Sequence, residues 1–260
     1  MDKTDKSKRY KRGIYLLPNL FTTAALFSGF YAIIAAMHNH FITAAIAIFI
    51  AMLLDGLDGR VARLTNTQSD FGAQYDSLAD LVSFGLAPSL VMYQWSLLNM
   101  GKAGWLAAFI YAATAALRLA RFNTQVGTAD KNYFQGLPSP ASAAIVAGAV
   151  WVGQEYEVSG KFIDIISLII TVTAGLLMVS NFRYNSFKGI DFKGKIPFFL
   201  LLVIMLVIVF ISYEPAVILF GIFVIYAISG PVFTLVELRK RRALRRAYRK
   251  ARKLRKENKE

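Results

Sequence analysis

Apolar residues in this chain come in eight long uninterrupted blocks rather than in amphipathic stripes, near residues 14–37, 41–59, 78–99, 103–120, 139–155, 162–180, 196–212 and 215–237. A hydrocarbon core needs roughly 20 apolar residues per helical crossing, and each block meets or approaches that length. A hydrophobic fraction of 56% and a mean hydropathy of +0.46 agree with a membrane composition. The predicted fold is therefore all-α: a polytopic membrane helix bundle of about eight transmembrane helices. By composition the chain divides into a basic N-tail (1–13), a transmembrane domain (14–238) and a polybasic C-tail (239–260). MDKTDKSKRYKRG before the first block has the charge of a signal-peptide n-region. The block is too long, and no clear small-residue cleavage site follows, so it reads as a retained helix.

Lys and Arg in short loops favour the cytoplasmic side of a membrane. With eight crossings both termini share one side, which collects 28 of the 30 Lys and Arg residues and leaves Lys102 and Lys161 opposite. One missed crossing would scatter the loops to both sides. Both termini are thus expected in the cytoplasm of a multi-pass protein of the cell membrane. Much of the +14 net charge is the tail RKRRALRRAYRKARKLRK. Helical continuation of the last crossing would make it a basic rod able to lie against anionic membrane lipids, each charge near the surface worth about 1 kcal/mol. In a soluble protein such a run would suit nucleic acid; beside a membrane it reads as a topology anchor, and no nucleic-acid partner is expected. Cysteine is absent, which excludes disulfides, thiol chemistry and thiolate metal sites.

Between the second and third blocks lies DGLDGRVARLTNTQSDFGAQYDSLAD, residues 55–80, with five aspartates at the predicted cytoplasmic boundary. At about 100° per residue, Asp58 lies about 60° from Asp55 on its helix, Gly59 about 40° the other way and Ala62 about 20° away. From Gly72, Asp76 sits about 40° round the next helix and Asp80 about 80°. Acids and minimal side chains therefore share a face on each segment. Four carboxylates brought together at reduced dielectric repel unless they protonate or bind cations. Oxygen-only ligands with no Cys and no nearby His suit a hard divalent ion, Mg²⁺ or Mn²⁺, and two ions could share four acids. Gly59, Ala62 and Gly72 leave room for a phosphate-bearing group to approach, and Arg63 is placed to clamp a phosphate with its fork. The bland alternative is that the acids cap helices or pair with Arg60 and Arg63. Two arginines cannot neutralise four carboxylates, and neither pairing explains the small residues. Asp70 reads as an N-cap for the next helix.

Asp55-x-x-Asp58-Gly59-x-x-Ala62-Arg63, eight residues, then Gly72-x-x-x-Asp76-x-x-x-Asp80 resembles the signature of the CDP-alcohol phosphotransferases at every fixed position. The resemblance implies an intramembrane enzyme with a two-metal site that moves a phosphatidyl or similar group from a CDP-linked donor to an alcohol. It implies Asp55, Asp58, Asp76 and Asp80 as ligands of two Mg²⁺ or Mn²⁺ ions, and it suggests a homodimer. It also puts Asn19 and Thr22, from Pro18-Asn19-x-x-Thr22, near the nucleotide, where a helix-to-helix hydrogen-bonding role is the alternative.

DSLADLVSFGLAPS, RLARFN, FQGLPSP and SNFRYNSFK further resemble the integral-membrane phosphatidylserine synthase branch, which extends the likeness over residues 14 to about 190. That branch implies CDP-diacylglycerol and L-serine as substrates, with the site facing the cytoplasm. A serine hydroxyl is a weak nucleophile until a base lies within reach, and Asp80 is expected in that role. Arg118 and Arg121, three apart at a helix end, can enter one cleft and suit a serine carboxylate; positive-inside anchoring is the alternative. Ser139 before Pro140 reads as an N-cap whose helix start could face an anion. Arg183 and Lys188 are further candidates for anionic groups. His38 and His40 fall in the opposite turn, with no role expected. Within the family, glycerol 3-phosphate, an inositol phosphate or an amino alcohol are alternative acceptors, the phosphorylated ones calling for a basic cluster that Arg118, Arg121 and Arg183 could supply. Outside it, prenyltransferases keep their acid motifs far apart in sequence. A cation transporter usually places its acids near the midplane and often repeats half its fold, and this sequence does neither.

Overall fold

The computed structural model describes residues 3–65, 67–124, 133–185 and 198–257. Helix α1 (Lys3–Met37) turns through His38–His40 into α2 (Phe41–Leu64), with Asn39 at φ 60°, a left-handed position that asparagine tolerates. The two pack along their length through buried Ala32, Ala35, Ala36, Ala44, Ala45, Ala47 and Ala51. Small residues let helix backbones approach where lipid offers no hydrophobic drive. Ser28 Oγ uses that approach to donate to the Ala47 carbonyl at 2.7 Å.

The 78–99 block is not one uniform helix. It forms α3 (Asp70–Asp80), a π-helical turn over Leu81–Leu86, α4 (Ala87–Trp95) and a 3₁₀ turn over Leu97–Met100. Then follow α5 (Lys102–Thr124), α6 (Ser139–Glu155), α7 (Lys161–Val179), α8 (Phe198–Tyr213) and α9 (Pro215–Glu257). Helix α6 is buried continuously from Ala141 to Gly148 and packs on α2, α4, α7 and α9. Over that stretch it carries apolar and small residues on every side because helices surround it. Helix α5 lies on α7, where a Cβ at Gly175 would come within 2.8 Å of Thr114 Oγ1.

Among the described residues, five stretches are long and apolar enough to cross a membrane: Leu17–Met37, Phe41–Leu64, Lys102–Thr124, Lys161–Val179 and Pro215–Glu237. The other three predicted crossings correspond to the broken α3–α4 run, to α6, of 17 residues, and to α8, of which 16 residues are described. At 1.5 Å per residue α6 is only about 25 Å long. Helices α1 and α9 run unbroken through residues 13 and 238, where composition changes. Helix α9, with 43 residues, is about 65 Å long, roughly twice a hydrocarbon core.

The helices define two ends. At one, Ser96 Oγ donates to Asp164 Oδ1 at 2.8 Å, tying the α4–α5 turn to the start of α7. At the other, the all-α expectation meets an exception: β1 (Tyr133–Gln135) and β2 (Arg183–Asn185) pair antiparallel, with Phe134 opposite Tyr184. The Gly136 N–H donates to the Phe182 carbonyl at 2.9 Å. Gly136 has φ +80° and a Cβ there would collide with the Met178 carbonyl, so the ribbon's exit requires glycine. Buried Tyr184 anchors the ribbon by donating to the Ala227 carbonyl of α9 at 3.0 Å.

Candidate active site

The last turns of α2 carry Asp55 and Asp58, and α3 carries Asp76 and Asp80. One carboxylate oxygen each from Asp55, Asp76 and Asp80 lie within 4.8 Å of one another. At an effective dielectric of about 20, two unit charges at that spacing repel by about 3.5 kcal/mol. Three such groups cannot all stay ionised at that spacing unless a cation lies among them. Asp58 is not part of this close trio. Its 60° offset turns it towards α1, where its Oδ2 accepts from Thr22 Oγ1 at 2.6 Å, and it is only 5% exposed.

Helix α3 starts one residue earlier than Asp70 suggested. Ser69 is the N-cap: its extended backbone lets its Oγ accept from the Gly72 N–H at 3.0 Å, and Asp70 becomes the first helical residue. Asp70 thus serves the positive end of the helix dipole rather than capping it. A Cβ at Gly72 would stand 3.1 Å from Ser69 Oγ and 3.5 Å from Asn19 Oδ1, so Asn19 of α1 adjoins the start of α3. A Cβ at Gly59 would meet nothing within 4 Å, in keeping with the open approach that its small size implied. Ala62 is half-buried and Arg63 exposed. Among the described residues the ion pair found is Arg183 with Glu237, so Arg60 and Arg63 do not neutralise the acids as the bland alternative required.

Two tethers flank Asp76 and were not foreseen. Tyr75 Oη and Thr23 Oγ1 are hydrogen-bonded at 2.8 Å, linking α3 to α1. Asn123 Nδ2 donates to Ser77 Oγ at 3.0 Å, linking α3 to α5. Residues 75 and 77 leave a helix about 200° apart, so the tethers pull on opposite sides and aim Asp76 between them. Asn123 lies in RLARFN, but nothing local signals a partner 46 positions away. Directly after Asp80 the chain enters the π-helical turn. Ser83 Oγ donates to the Ala25 carbonyl at 3.1 Å, and Tyr111 Oη to the Phe84 carbonyl at 3.2 Å, which fixes the turn against α1 and α5. Such turns recur beside functional sites.

The predicted arginines separate. Arg118 is close enough to Asp55 and Asp80 for their charges to interact, and its Nη1 donates to Ser139 Oγ at 2.7 Å. Ser139 is the first residue of α6 rather than its N-cap; Pro138 holds that position, and the serine hydroxyl faces Arg118 instead of the helix start. Arg121 donates to the Val179 carbonyl at 3.3 Å and to Asn181 Oδ1 at 3.0 Å, and Gln135 Nε2 donates to the same Asn181 oxygen at 2.8 Å. Arg183 is drawn to Glu237 of α9 at 3.5 Å, with its N–H donating to Thr234 Oγ1 at 3.0 Å. Lys188 lies outside the described residues. His38 and His40 stack on each other at the turn between α1 and α2, at the other end of α2 from its acids.

The donor set fits a hard divalent cation: three convergent carboxylates, oxygen ligands alone, and a chain without cysteine. A model of the family described as CDP-alcohol phosphatidyltransferase matches residues 15–180. A protein of Helicobacter pylori strain J99 named CDP-diacylglycerol–serine O-phosphatidyltransferase is 40% identical over 226 residues, 86% of this chain and 94% of its own length. A protein of the same name from Mycobacterium tuberculosis strain H37Rv is 37% identical over 195 residues, covering 70% of this chain and 66% of its own. Another from Methanocaldococcus jannaschii is 37% identical over 142 residues, 55% of this chain and 63% of its own.

Proposed function

Because this chain belongs to the CDP-alcohol phosphatidyltransferase family, we propose that it transfers the phosphatidyl group of CDP-diacylglycerol to the hydroxyl of L-serine, giving phosphatidylserine and CMP. The observation that carries the reading is the convergence of Asp55, Asp76 and Asp80 where two membrane-associated helices meet. The name shared by relatives that match most of the chain supports serine as the acceptor.

Asp55, Asp76 and Asp80 would hold Mg²⁺ or Mn²⁺, with Asp58, braced by Thr22, as the fourth ligand for a pair of ions. Bound divalent ions would supply neutralisation of the diphosphate charge and hold its oxygens. Open space at Gly59 admits that diphosphate, and Arg63, exposed beside it, is placed to take a phosphate oxygen. Asn19, Thr22, Ala62 and Gly72 line the approach from α1, α2 and α3. Asp80 accepts the proton of the serine hydroxyl as its oxygen forms a bond to the lipid-side phosphorus. The bond from that phosphorus to the CMP oxygen breaks in line, and CMP departs with the electron pair. Asp80 then returns its proton to water. The phosphate leaving group needs little acid help, so base chemistry on one side suffices.

In the membrane we place all eight apolar helical runs as crossings with both termini in the cytoplasm, which the division of basic residues supports. The acids then face the compartment that holds serine and CMP, while the acyl chains stay in lipid. The test is CMP release from CDP-diacylglycerol by purified protein with Mn²⁺ or Mg²⁺, across L-serine, glycerol 3-phosphate, inositol phosphate and ethanolamine. Release with serine and formation of phosphatidylserine are expected. Product with another alcohol and none with serine would overturn the acceptor while leaving the chemistry.

A further inference from the structure

The arginines that the sequence groups together have different occupations in the folded chain, and that difference bears on the acceptor. A phosphorylated acceptor brings a dianion and calls for several cations around it. Arg121 is engaged by the Val179 carbonyl and Asn181, and Arg183 by Glu237. Both hold the ribbon and its flanks to neighbouring helices. Arg118 has charge interactions with Asp55 and Asp80. Its Nη1 bonds to Ser139 Oγ, and its Nε is enclosed without a partner, the one such buried side-chain nitrogen or oxygen among the described residues.

A guanidinium carries five N–H donors in a fixed fork. Leaving one of them enclosed and unpaired inside a protein is unfavourable unless another state of the site provides an acceptor. Ser139 fixes one arm of the fork, so the orientation of the rest is set before any ligand arrives. The neighbours dictate which ligand oxygen belongs there. Asp80 is the proposed base, so the acceptor hydroxyl lies against it, and Arg118, within charge interaction of that acid, is placed to hold a second group of the same molecule. In a β-hydroxy amino acid the carboxylate and the hydroxyl oxygen are separated by two carbons, a reach that spans an arginine and an aspartate already within charge interaction of each other.

Resting on the transferase reading above, we propose that Arg118 is the carboxylate anchor that selects an amino-acid acceptor, and that Ser139 is the positioning residue that sets its guanidinium. A single fork matches the single negative charge of a carboxylate. Amino alcohols without a carboxylate are cations at neutral pH and lack the anion it needs, and a phosphorylated acceptor would lack the further cations that Arg121 and Arg183 would have contributed.

The experiment uses the full chain with Mn²⁺ and CDP-diacylglycerol, measuring KM and kcat for L-serine, serinol (the same amino alcohol with the carboxylate replaced by a hydroxymethyl group), ethanolamine and glycerol 3-phosphate. The unsubstituted protein reports on the reaction itself: serine used and glycerol 3-phosphate refused is expected, and the reverse preference overturns both the serine reading and the anchor. The variants report on the anchor. Arg118→Lys keeps the charge but loses the fork, so KM for serine should rise about 10- to 100-fold. KM for CDP-diacylglycerol should stay within about threefold, and the preference for serine over serinol should shrink by a similar factor. Ser139→Ala should give a smaller rise in serine KM, and Ser139→Thr should restore it. An Arg118→Lys protein with altered KM for CDP-diacylglycerol and unchanged KM for serine assigns the arginine to the diphosphate and overturns the proposal. Should Arg118→Lys fail to fold, the Ser139 pair decides on the same readout: an unchanged serine KM in Ser139→Ala overturns it.

Discussion

Thr22 Oγ1 donates to Asp58 Oδ2 at 2.6 Å, joining α1 to α2 across 36 positions of sequence. The bond explains why one acid of the motif stands apart from the other three. It gives a buried carboxylate a donor on the helix it faces, while Asp55, Asp76 and Asp80 share the space between α2 and α3. Hydrogen bonds to a charged group contribute about 1.5–3 kcal/mol. Thr22→Val, which keeps the shape and removes the donor, should raise the Mn²⁺ concentration for half-maximal CMP release by roughly tenfold, and Thr22→Ser should stay near the parent. An unchanged metal response in Thr22→Val would detach Asp58 from metal binding.

Asp80 is the acid to which the proposed mechanism assigns proton removal. Asp80→Asn keeps size and loses basicity, and should lower kcat at least about 100-fold. Thermal unfolding of the variant, followed with and without Mn²⁺, separates this loss from misfolding. Turnover at the parent rate in a folded Asp80→Asn protein excludes the base assignment.

Metal removal tests the carboxylate trio as a whole. Exhaustive chelation should abolish CMP release, and Mg²⁺ or Mn²⁺ should restore it. Bound divalent ions also relieve the mutual repulsion of the acids, so they should raise the unfolding temperature of the parent and raise it less in Asp76→Asn. Full activity in chelator would remove the metal reading.

Two glycines should respond in opposite ways. At Gly59 a Cβ has open space, so Gly59→Ala should fold normally, whereas Gly59→Leu should fold and raise KM for CDP-diacylglycerol by narrowing the approach. At Gly230 a Cβ would run into the ring of buried Tyr184, which ties the ribbon to α9. Gly230→Ala should therefore destabilise the protein by about 1–3 kcal/mol. Equal stability of Gly59→Ala and Gly230→Ala in thermal unfolding would contradict that packing.

The lack of cysteine makes the orientation directly measurable. Single substitutions Asn39→Cys and Gln68→Cys stand at opposite ends of α2, both exposed. In intact cells an impermeant maleimide should label the first alone, and after lysis both. Labelling of Gln68→Cys from outside would invert the proposed topology.

What was legible in the sequence depended on local periodicity. Asp55, Asp58 and Gly59 fall near one face of a helix whatever that helix packs against, and the longest apolar blocks require helices of membrane length wherever they lie. The family signature follows from the same short-range information. Less legible were the features that depend on how one helix is rotated against another. The 78–99 block read as a single crossing because nothing in its composition marks the π-helical turn, which is fixed by Ser83 and Tyr111 reaching α1 and α5. Asp70 read as the cap by residue type alone, and the extended backbone at Ser69 gives that place to the serine instead.

By itself, then, the amino-acid sequence determined a helical membrane enzyme of the CDP-alcohol phosphatidyltransferase family and the acids that its proposed chemistry uses, because helix periodicity and membrane partition act within a few turns of chain. Only the tertiary structure decided which partner each polar group takes. Asp58 goes to Thr22, Ser77 to Asn123, Arg183 to Glu237, and Arg118 remains beside the acids with a donor unmet. Those pairings join residues dozens of positions apart, and hydrogen bonds and ion pairs act over a few ångströms of space without regard to distance along the chain.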